Sequence, residues 1–175
     1  MARDLQDRHP LEFYEDPTNS IGYLTRIAFR SFSRSLERRT LKHGVSSGQW
    51  RFLRVLWQHE GLTQRQLSRL VGMREPTTVT ALKGMEKSGL IRREHSKEDK
   101  RKVHVYLTPK ARRLKTRLMP MVAEVNIIAA TNMNPADIAV VRRALIRMCE
   151  NLAAEESTLA ANGAAADLPL GFAAV

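Results

Sequence analysis

The stretch that decides the fold is residues 62–89, which read LTQRQLSRLVGMREPTTVTALKGMEKSG. Thr63 and Gln66 stand three residues apart, the spacing of a capping box that starts a helix. Gly72 follows the apolar residues of this short helix, and glycine favours the left-handed turn that ends one. A second helix is predicted from Arg74 to Ser88. Residues 62–89 therefore predict two helices joined by a glycine turn.

The second helix has a predicted inner and outer side. Pro76 is tolerated because it falls in the first turn. Val79, Leu82 and Met85 are expected to supply the buried side. The residues not needed for that core, and so predicted to be free for contacts, are Arg74, Glu75, Thr77, Thr78, Thr80 and Lys83.

A charged hairpin follows the two helices. Leu90–Glu94 and Val103–Leu107 are short extended runs, and the second alternates apolar with polar residues as a strand does. The segment between them, 95–102, is too polar to bury. Helix, glycine turn, helix and charged hairpin together predict a winged helix-turn-helix unit, whose second helix enters the DNA major groove.

The charge distribution agrees with a polyanion partner. Residues 62–117 hold 16 of the 29 Lys and Arg residues but five of the 18 acids, so this segment alone accounts for the net charge of +11. Such a cationic block favours double-stranded DNA. The alternative is a solvated lysine-rich face that binds nothing. RNA fits less well, since no aromatic stacking platform accompanies the charge.

Specific contacts can be assigned as hypotheses. Arg74 can donate two bonds to guanine, Glu75 can accept from cytosine N4, and threonine methyls can pack on thymine. Lys83 is expected at a phosphate. The alternative for the threonines is an ordinary polar helix face. The hairpin tip is expected to reach a minor groove through Lys97, Lys100, Arg101 and Lys102.

The rest of the chain predicts a mainly α fold in the order α-α-α-α-β-β-α-α. An irregular arm (1–19) and a long helix (20–44) precede the winged helix-turn-helix domain (45–108). Further helices (109–156) and a disordered tail (157–175) follow. The last helix has a narrow apolar seam formed by Ile138, Val141, Leu145, Met148 and Leu152.

The chain resembles the MarR family of bacterial transcription regulators from about Ile21 to Leu152. The most specific match is Asp99-Lys-Arg-Lys-Val103 followed by Leu107-Thr-Pro109, and Leu62–Leu67 and Thr77–Thr80 also match. The resemblance implies that residues 74–88 are the recognition helix, that Arg101 is the wing arginine and that Asp99 is its structural partner. Arg74-Glu75 replaces the Asp or Asn that commonly precedes the proline, so the bases recognised are open.

The flanking helices predict a homodimer. Their apolar stripes exceed what a small winged domain can cover, and two recognition helices about 34–36 Å apart read a pseudo-palindrome. The resemblance implies the same obligate dimer, built from the N- and C-terminal helices. The alternative is a monomer with these helices folded back on themselves.

A small-molecule effector is a further predicted partner. The resemblance implies one, often aromatic or acidic, between the flanking helices and the winged domain. The more specific hypothesis is that this effector is an acyl-CoA or an aromatic acid. The alternatives are that the tryptophans belong to the hydrophobic core and that the arginines form a solvated stripe on the first helix. The candidate residues are Arg26, Phe29, Arg30, His43, Trp50, Trp57 and Met73.

The sequence gives little support to other classes of protein, such as enzymes and membrane proteins. The five histidines are scattered and no phosphate loop or nucleophile elbow occurs, so we predict neither an enzyme nor a cofactor or metal. Cys149 is expected to be a small buried hydrophobe. No signal peptide or apolar span is evident, which favours the cytoplasm and no membrane partner. The predicted function is a ligand-released repressor; the alternative is a non-specific, chromosome-structuring DNA-binding protein.

Overall fold

The protein is described from a computed structural model that covers His9 and residues 11–161, apart from the side chains at positions 13, 14, 160 and 161. Six helices of eight or more residues lie in this part of the chain. They are α1 (Ile21–Thr40), α2 (Ser47–Leu56), α3 (Gln64–Val71), α4 (Glu75–Lys87), α5 (Pro109–Ala129) and α6 (Pro135–Ala161). The strands are β1 (Leu62–Thr63), β2 (Ile91–His95) and β3 (Val103–Leu107). The mainly α winged helix-turn-helix fold is confirmed.

Local capping fixes where the helices begin. Ser46 and Gln49 form a capping box at α2, and Thr63 and Gln66 form one at α3, both as predicted. The side chain of Thr108 accepts a hydrogen bond from the Ala111 N–H at 3.2 Å and so caps α5. These bonds satisfy backbone donors that helix starts leave without partners.

Gly72 and Gly89 adopt the left-handed conformation, with φ of +68° and +67°. Gly72 joins α3 to α4, and Gly89 separates α4 from the wing strands. A residue with a Cβ atom would be strained at either turn.

Helix α4 buries a different face from the one predicted. Thr78 is fully buried together with Leu82 and Met85, whereas Val79 is only half-buried. Positions 78, 82 and 85 follow i, i+4, i+7, which is one stripe of a helix. The prediction that Thr78 is not part of the core is therefore wrong. Thr78 cannot contact a base edge from this buried position.

The sheet has a strand that the sequence did not predict. Its order is β1-β3-β2 and all pairs are antiparallel, with Leu62 opposite Val105 and Ile91 opposite Leu107. The two residues of β1 are too few to show an alternating pattern. We call α2–α4 with this sheet the winged unit, and α1, α5 and α6 the flanking helices.

The core lies in the winged unit and extends along α5. Phe52, Leu67, Leu82 and Val105 are completely buried, and so is Leu118 on α5. Helix α1 packs beside α5, where Arg39 pairs with Glu124 at 2.8 Å. The pairing lowers the pKa of Glu124 and raises that of Arg39.

Both ends of the chain differ from expectation. The predicted irregular arm contains a helical turn, Glu12–Glu15, and a 3-10 turn, Pro17–Asn19, which Asp16 caps through the Thr18 N–H at 2.9 Å. Helix α6 continues to Ala161, so the predicted start of a disordered tail at Ser157 is wrong. Residues 162–175, to which the remainder of that prediction refers, lie outside the described residues.

Replacing Thr78 with valine should stabilise the protein. The Thr78 hydroxyl is buried without a hydrogen-bond partner, and valine has the same shape without the polar atom. We expect the free energy of unfolding to rise by about 1 kcal/mol, measured by urea denaturation at one fixed protein concentration. The matched control is Thr77→Val at the exposed neighbour, expected to change the value by less than about 0.5 kcal/mol. A fall in stability for Thr78→Val would show that the hydroxyl is satisfied.

Candidate nucleic-acid interface

The N-terminal end of α4 presents polar side chains on its outer face. Arg74 is exposed and provides no side-chain cap, and Thr77 is exposed beside it. Glu75 pairs with Arg65 of α3 at 3.4 Å. The exposed Thr80 donates a hydrogen bond from its hydroxyl to the Pro76 carbonyl at 3.1 Å, which leaves its methyl group available for apolar contact.

The wing tip is held by an acidic side chain. The Asp99 carboxylate accepts a bond from the Arg101 backbone N–H at 3.1 Å and another from the Arg101 Nε at 3.3 Å, and Lys102 Nζ lies 3.8 Å away. These contacts, the Arg101 N–H first, lower the pKa of Asp99. The predicted role of Asp99 as a brace for the tip is confirmed.

Arg101 is braced at its base but remains 93% exposed. Lys97, Lys100 and Lys102 are exposed on the same tip. The tip therefore offers four cations to solvent from a loop that is closed by the Ser96 N–H, which donates to the Lys102 carbonyl at 2.9 Å. Glu98 and Asp99 on the same tip offset two of these four charges, so the tip keeps a net positive charge.

A second ion pair, absent from the sequence analysis, joins the wing to α4. Arg93 of β2 donates to the Glu86 carboxylate from Nε at 3.0 Å and from Nη2 at 2.6 Å, and its backbone N–H also donates at 3.1 Å. Its Nη1 reaches Gln64 of α3 at 3.4 Å. The bond from the Arg93 side chain lowers the pKa of Glu86. Arg93 thus fixes the wing to both helices.

The Arg93 pairing has no local signature in the sequence. Arg93 lies seven positions after Glu86, on a different element. Only the alternation of β2 could have indicated that Arg93 lies on the same face as the buried Ile91 and is turned towards the helices.

An apolar cleft separates the flanking helices from the winged unit. It has a volume of about 380 Å3 and lies where α1, α2, α3 and α5 meet. Phe29 and Trp50 line it, and Arg51 and Arg54 of α2 supply its cations. The Arg51 guanidinium stacks over the Phe29 ring, 4.9 Å from its centroid. The cleft can hold an apolar molecule that carries an anionic group.

The structure brings two of the seven predicted ligand residues, Phe29 and Trp50, to this cleft. Phe29, Ser33 and Leu36 mark the face of α1 that lines it, and Arg26 and Arg30 lie outside that lining. Arg26 instead stacks on Tyr23 at 5.3 Å. The residues placed elsewhere are Arg26, Arg30, His43, Trp57 and Met73.

The tryptophans have separate roles. Trp57 donates a hydrogen bond from Nε1 to the Ala111 carbonyl at 3.0 Å. Trp57 and Met73 both pack against the core. Trp50 meets Trp57 edge to face at 5.5 Å while it also lines the cleft. The sequence analysis missed Arg51 and Arg54; their i, i+3 spacing beside Trp50 was the signal that could have identified them.

Cys149 is half-buried in a groove between the start of α1 and α6, beside Met148. Across residues 9 and 11–161, no group of three or more His, Cys, Asp or Glu side chains is placed to hold a metal ion. None of the helices in the same residues combines the length and the apolar character that crossing a bilayer requires.

Helices α3 and α4 with the β2–β3 hairpin define a winged helix-turn-helix protein, and comparisons with known proteins narrow this class. The MarR family model matches residues 45–103. The HTH-type transcriptional regulator TtmR of Methylorubrum extorquens is 29% identical over 158 residues, 89% of this chain and 76% of TtmR. The chain belongs to the MarR family of transcriptional regulators.

Solved structures agree with this assignment. The transcriptional regulator PA3341 superimposes with a TM-score of 0.66 at 34% identity, covering 76% of this chain and 98% of that protein. A putative MarR family regulator from Listeria monocytogenes, solved with a 26mer DNA, has a TM-score of 0.71 over 82% of this chain and 95% of its own. At 22% identity, this superposition establishes a shared fold.

Proposed function

We propose that the protein is a cytoplasmic, homodimeric repressor that binds a pseudo-palindromic operator in double-stranded DNA and is released by a small anionic effector. The observation that carries the proposal is the wing tip, where Arg101 is almost fully exposed yet anchored by Asp99. An anchored cation loses little conformational entropy when it binds, so it suits insertion into a narrow minor groove.

The DNA contacts follow from exposure. Arg74, Glu75, Thr77 and Thr80 meet base edges in the major groove, and Lys83 meets a phosphate. Thr78 is omitted because it is buried. The wing contacts the minor groove through Lys97, Lys100, Arg101 and Lys102. The DNA complex of the Listeria neighbour supports this use of the fold.

Arg101→Ala should weaken operator binding about tenfold or more, since a hydrogen bond from a charged group contributes about 1.5–3 kcal/mol. The slope of log K against log salt should become shallower by about 0.9 for each phosphate that the variant no longer neutralises. The measurement is fluorescence anisotropy with an operator that footprinting has defined. Arg34→Ala, at an exposed arginine on α1, is the control and should bind like the parent.

Two outcomes would contradict the proposal. Unchanged affinity of Arg101→Ala for the operator would remove the wing from the interface. Uniform footprinting protection along DNA, without a discrete palindrome, would favour the non-specific DNA-binding alternative.

The dimer is proposed from apolar surface on the flanking helices. Leu145 and Leu152 of α6 are 43% and 53% exposed, and Ile21 of α1 is 38% exposed. They line a largely apolar groove of about 940 Å3 between α1 and α6. A soluble protomer rarely leaves such a surface uncovered. A second copy presents the same groove and can cover it symmetrically.

Leu145→Glu should therefore disrupt the dimer without disturbing the protomer, because the side chain is exposed within the protomer. We expect sedimentation equilibrium to show a dimer for the parent and a dissociation constant raised at least about 100-fold for the variant, since burying an unpaired carboxylate costs several kcal/mol. Arg143→Glu, which places the same side chain on another face of α6, is the control. A parent that is monomeric at micromolar concentration would contradict the dimer.

The proposed effector is an aromatic carboxylate bound in the cleft lined by Phe29, Trp50 and Arg51. The rings supply apolar walls, and Arg51 or Arg54 can pair with the carboxylate. A volume of about 380 Å3 suits a small aromatic acid; of an acyl-CoA, only the acyl end would fit inside. The cleft contacts α1 and α5 on one side and α2 and α3 on the other, so a ligand there would act on how these helices are packed.

Arg51→Gln should weaken binding of an aromatic carboxylate such as benzoate about tenfold, because a charge-assisted bond contributes about 1.5 kcal/mol or more. Isothermal titration calorimetry gives the constant, and anisotropy tests whether benzoate releases operator DNA. Arg30→Gln is the matched control, since Arg30 does not line the cleft. Equal weakening by both substitutions, or no heat with the parent, would contradict the assignment.

A further inference from the structure

The winged unit is connected to the flanking helices at two places: residues 41–46 link α1 to α2, and the first turn of α5, which we call the joint, follows the wing. Strand β3 ends at Leu107 and α5 begins at Pro109, so the chain passes from the wing to a flanking helix within two residues. On one side of this turn, Thr108 donates from its hydroxyl to the Gly89 carbonyl at 2.8 Å and Lys110 donates to the Ser88 carbonyl at 3.0 Å. Both acceptors follow directly after α4, so this side ties α5 to the recognition helix.

The other side of the joint depends on one carboxylate, that of Glu60. Strand β1 begins only at Leu62, so no β1 residue lies opposite Leu107 of β3. The Glu60 carboxylate takes the place of a strand carbonyl and accepts the Leu107 N–H at 2.9 Å. The Gly61 N–H next to it continues the pairing with the Val105 carbonyl at 3.0 Å. Glu60 therefore extends the sheet with a side chain.

The same carboxylate also binds α5. Arg112 donates to it from Nε at 3.3 Å and from a second guanidinium nitrogen, a two-point ion pair. Arg112 lies in the first turn of α5, one residue after Ala111, whose carbonyl accepts from Trp57. The pair is partly screened, since Glu60 is 32% and Arg112 49% exposed. Its planar, two-point geometry restrains direction more than it adds stability.

We propose that Glu60 and Arg112 are positioning residues that set the angle between the winged unit and α5, and thereby the half-site spacing that the dimer accepts. This inference rests on the proposed dimeric, operator-binding function. In a dimer, each recognition helix is held at a distance from its partner by the flanking helices, and the joint lies between the two parts. Because one base pair changes both the separation and the rotation of the half-sites, a looser joint tolerates more spacings.

The test uses operators whose half-sites are separated by the natural distance, one base pair more and one base pair fewer. We expect the parent to bind the operator of natural spacing about tenfold or more tighter than the other two operators. In Glu60→Gln and in Arg112→Gln this preference should fall to about threefold, a loss of about 0.7 kcal/mol in discrimination, because a tenfold change in affinity corresponds to about 1.4 kcal/mol. Glu60→Gln keeps an oxygen for the Leu107 N–H and removes the charge. The double variant should match either single variant, since each removes the same pair.

Arg113→Gln is the matched control. Arg113 is exposed on the same turn and forms no ion pair with any residue that the structure describes. Its loss should change affinity for all three operators by one common factor. Arg112→Lys should keep part of the preference, because the charge remains while the two-point geometry is lost.

The outcomes separate this inference from the proposed function. A parent without any preferred spacing would contradict the operator-binding dimer itself. A parent with a preference that Glu60→Gln and Arg112→Gln leave unchanged, or variants that lose affinity equally at every spacing, would overturn the positioning role. Thermal unfolding of each variant, measured alongside, identifies a uniform loss that arises from instability.

Discussion

Burial of one apolar core determines which face of each helix in the winged unit is exposed. Helix α4 illustrates the constraint: once Thr78, Leu82 and Met85 are fully buried, the rotation of the helix is fixed. Thr77 and Lys83 must then lie on the outer side. The rotation observed removes Thr78 from the outer face, whereas a stripe through Val79, Leu82 and Met85 would have left it there. The core thus selects the residues available for DNA before any charge is considered.

Local pairing then selects the available cations. The winged unit and the start of α5 are strongly basic, yet Arg65, Arg93 and Arg112 each pair with an acid. These pairs join α3 to α4, the wing to α4 and the β1 turn to α5. Arg101 also contacts an acid but remains 93% exposed. Net charge alone therefore overstates how many arginines can contact phosphates, because several of them join one element of the fold to another.

Local signals made much of the fold predictable. The two capping boxes, the glycine turn at Gly72 and the alternation of β3 each specify structure within a few residues, and each is confirmed. The face of α4 was misjudged because Thr78 and Val79 have similar shapes, so the stripe could be placed through either. A buried hydroxyl without a partner is unfavourable, and a pattern-based argument therefore favours valine. Packing of the whole helix outweighs that local cost.

Features that depend on tertiary contacts could not be predicted in the same way. The cleft takes its residues from four helices, so the rotation of α1 decides whether Phe29 or Arg26 lines it. The Glu60 carboxylate contacts Leu107 and Arg112, which lie about fifty positions later in the sequence. No periodic pattern of residues indicates a contact over this separation. Strand β1 becomes visible only through its pairing with β3.

Cleft and joint together limit how an effector could act. The cleft lies between α1, α2, α3 and α5, whereas the joint binds the first turn of α5 to the wing and to the end of α4. A ligand shifts an equilibrium only by the difference between its affinities for two arrangements. For a ligand in the cleft, those arrangements must differ in how α2 and α3 pack against α1 and α5. Since the joint and the core that extends to Leu118 both hold α5 to the winged unit, we expect such a ligand to change how these helices pack while the contacts at the first turn of α5 persist.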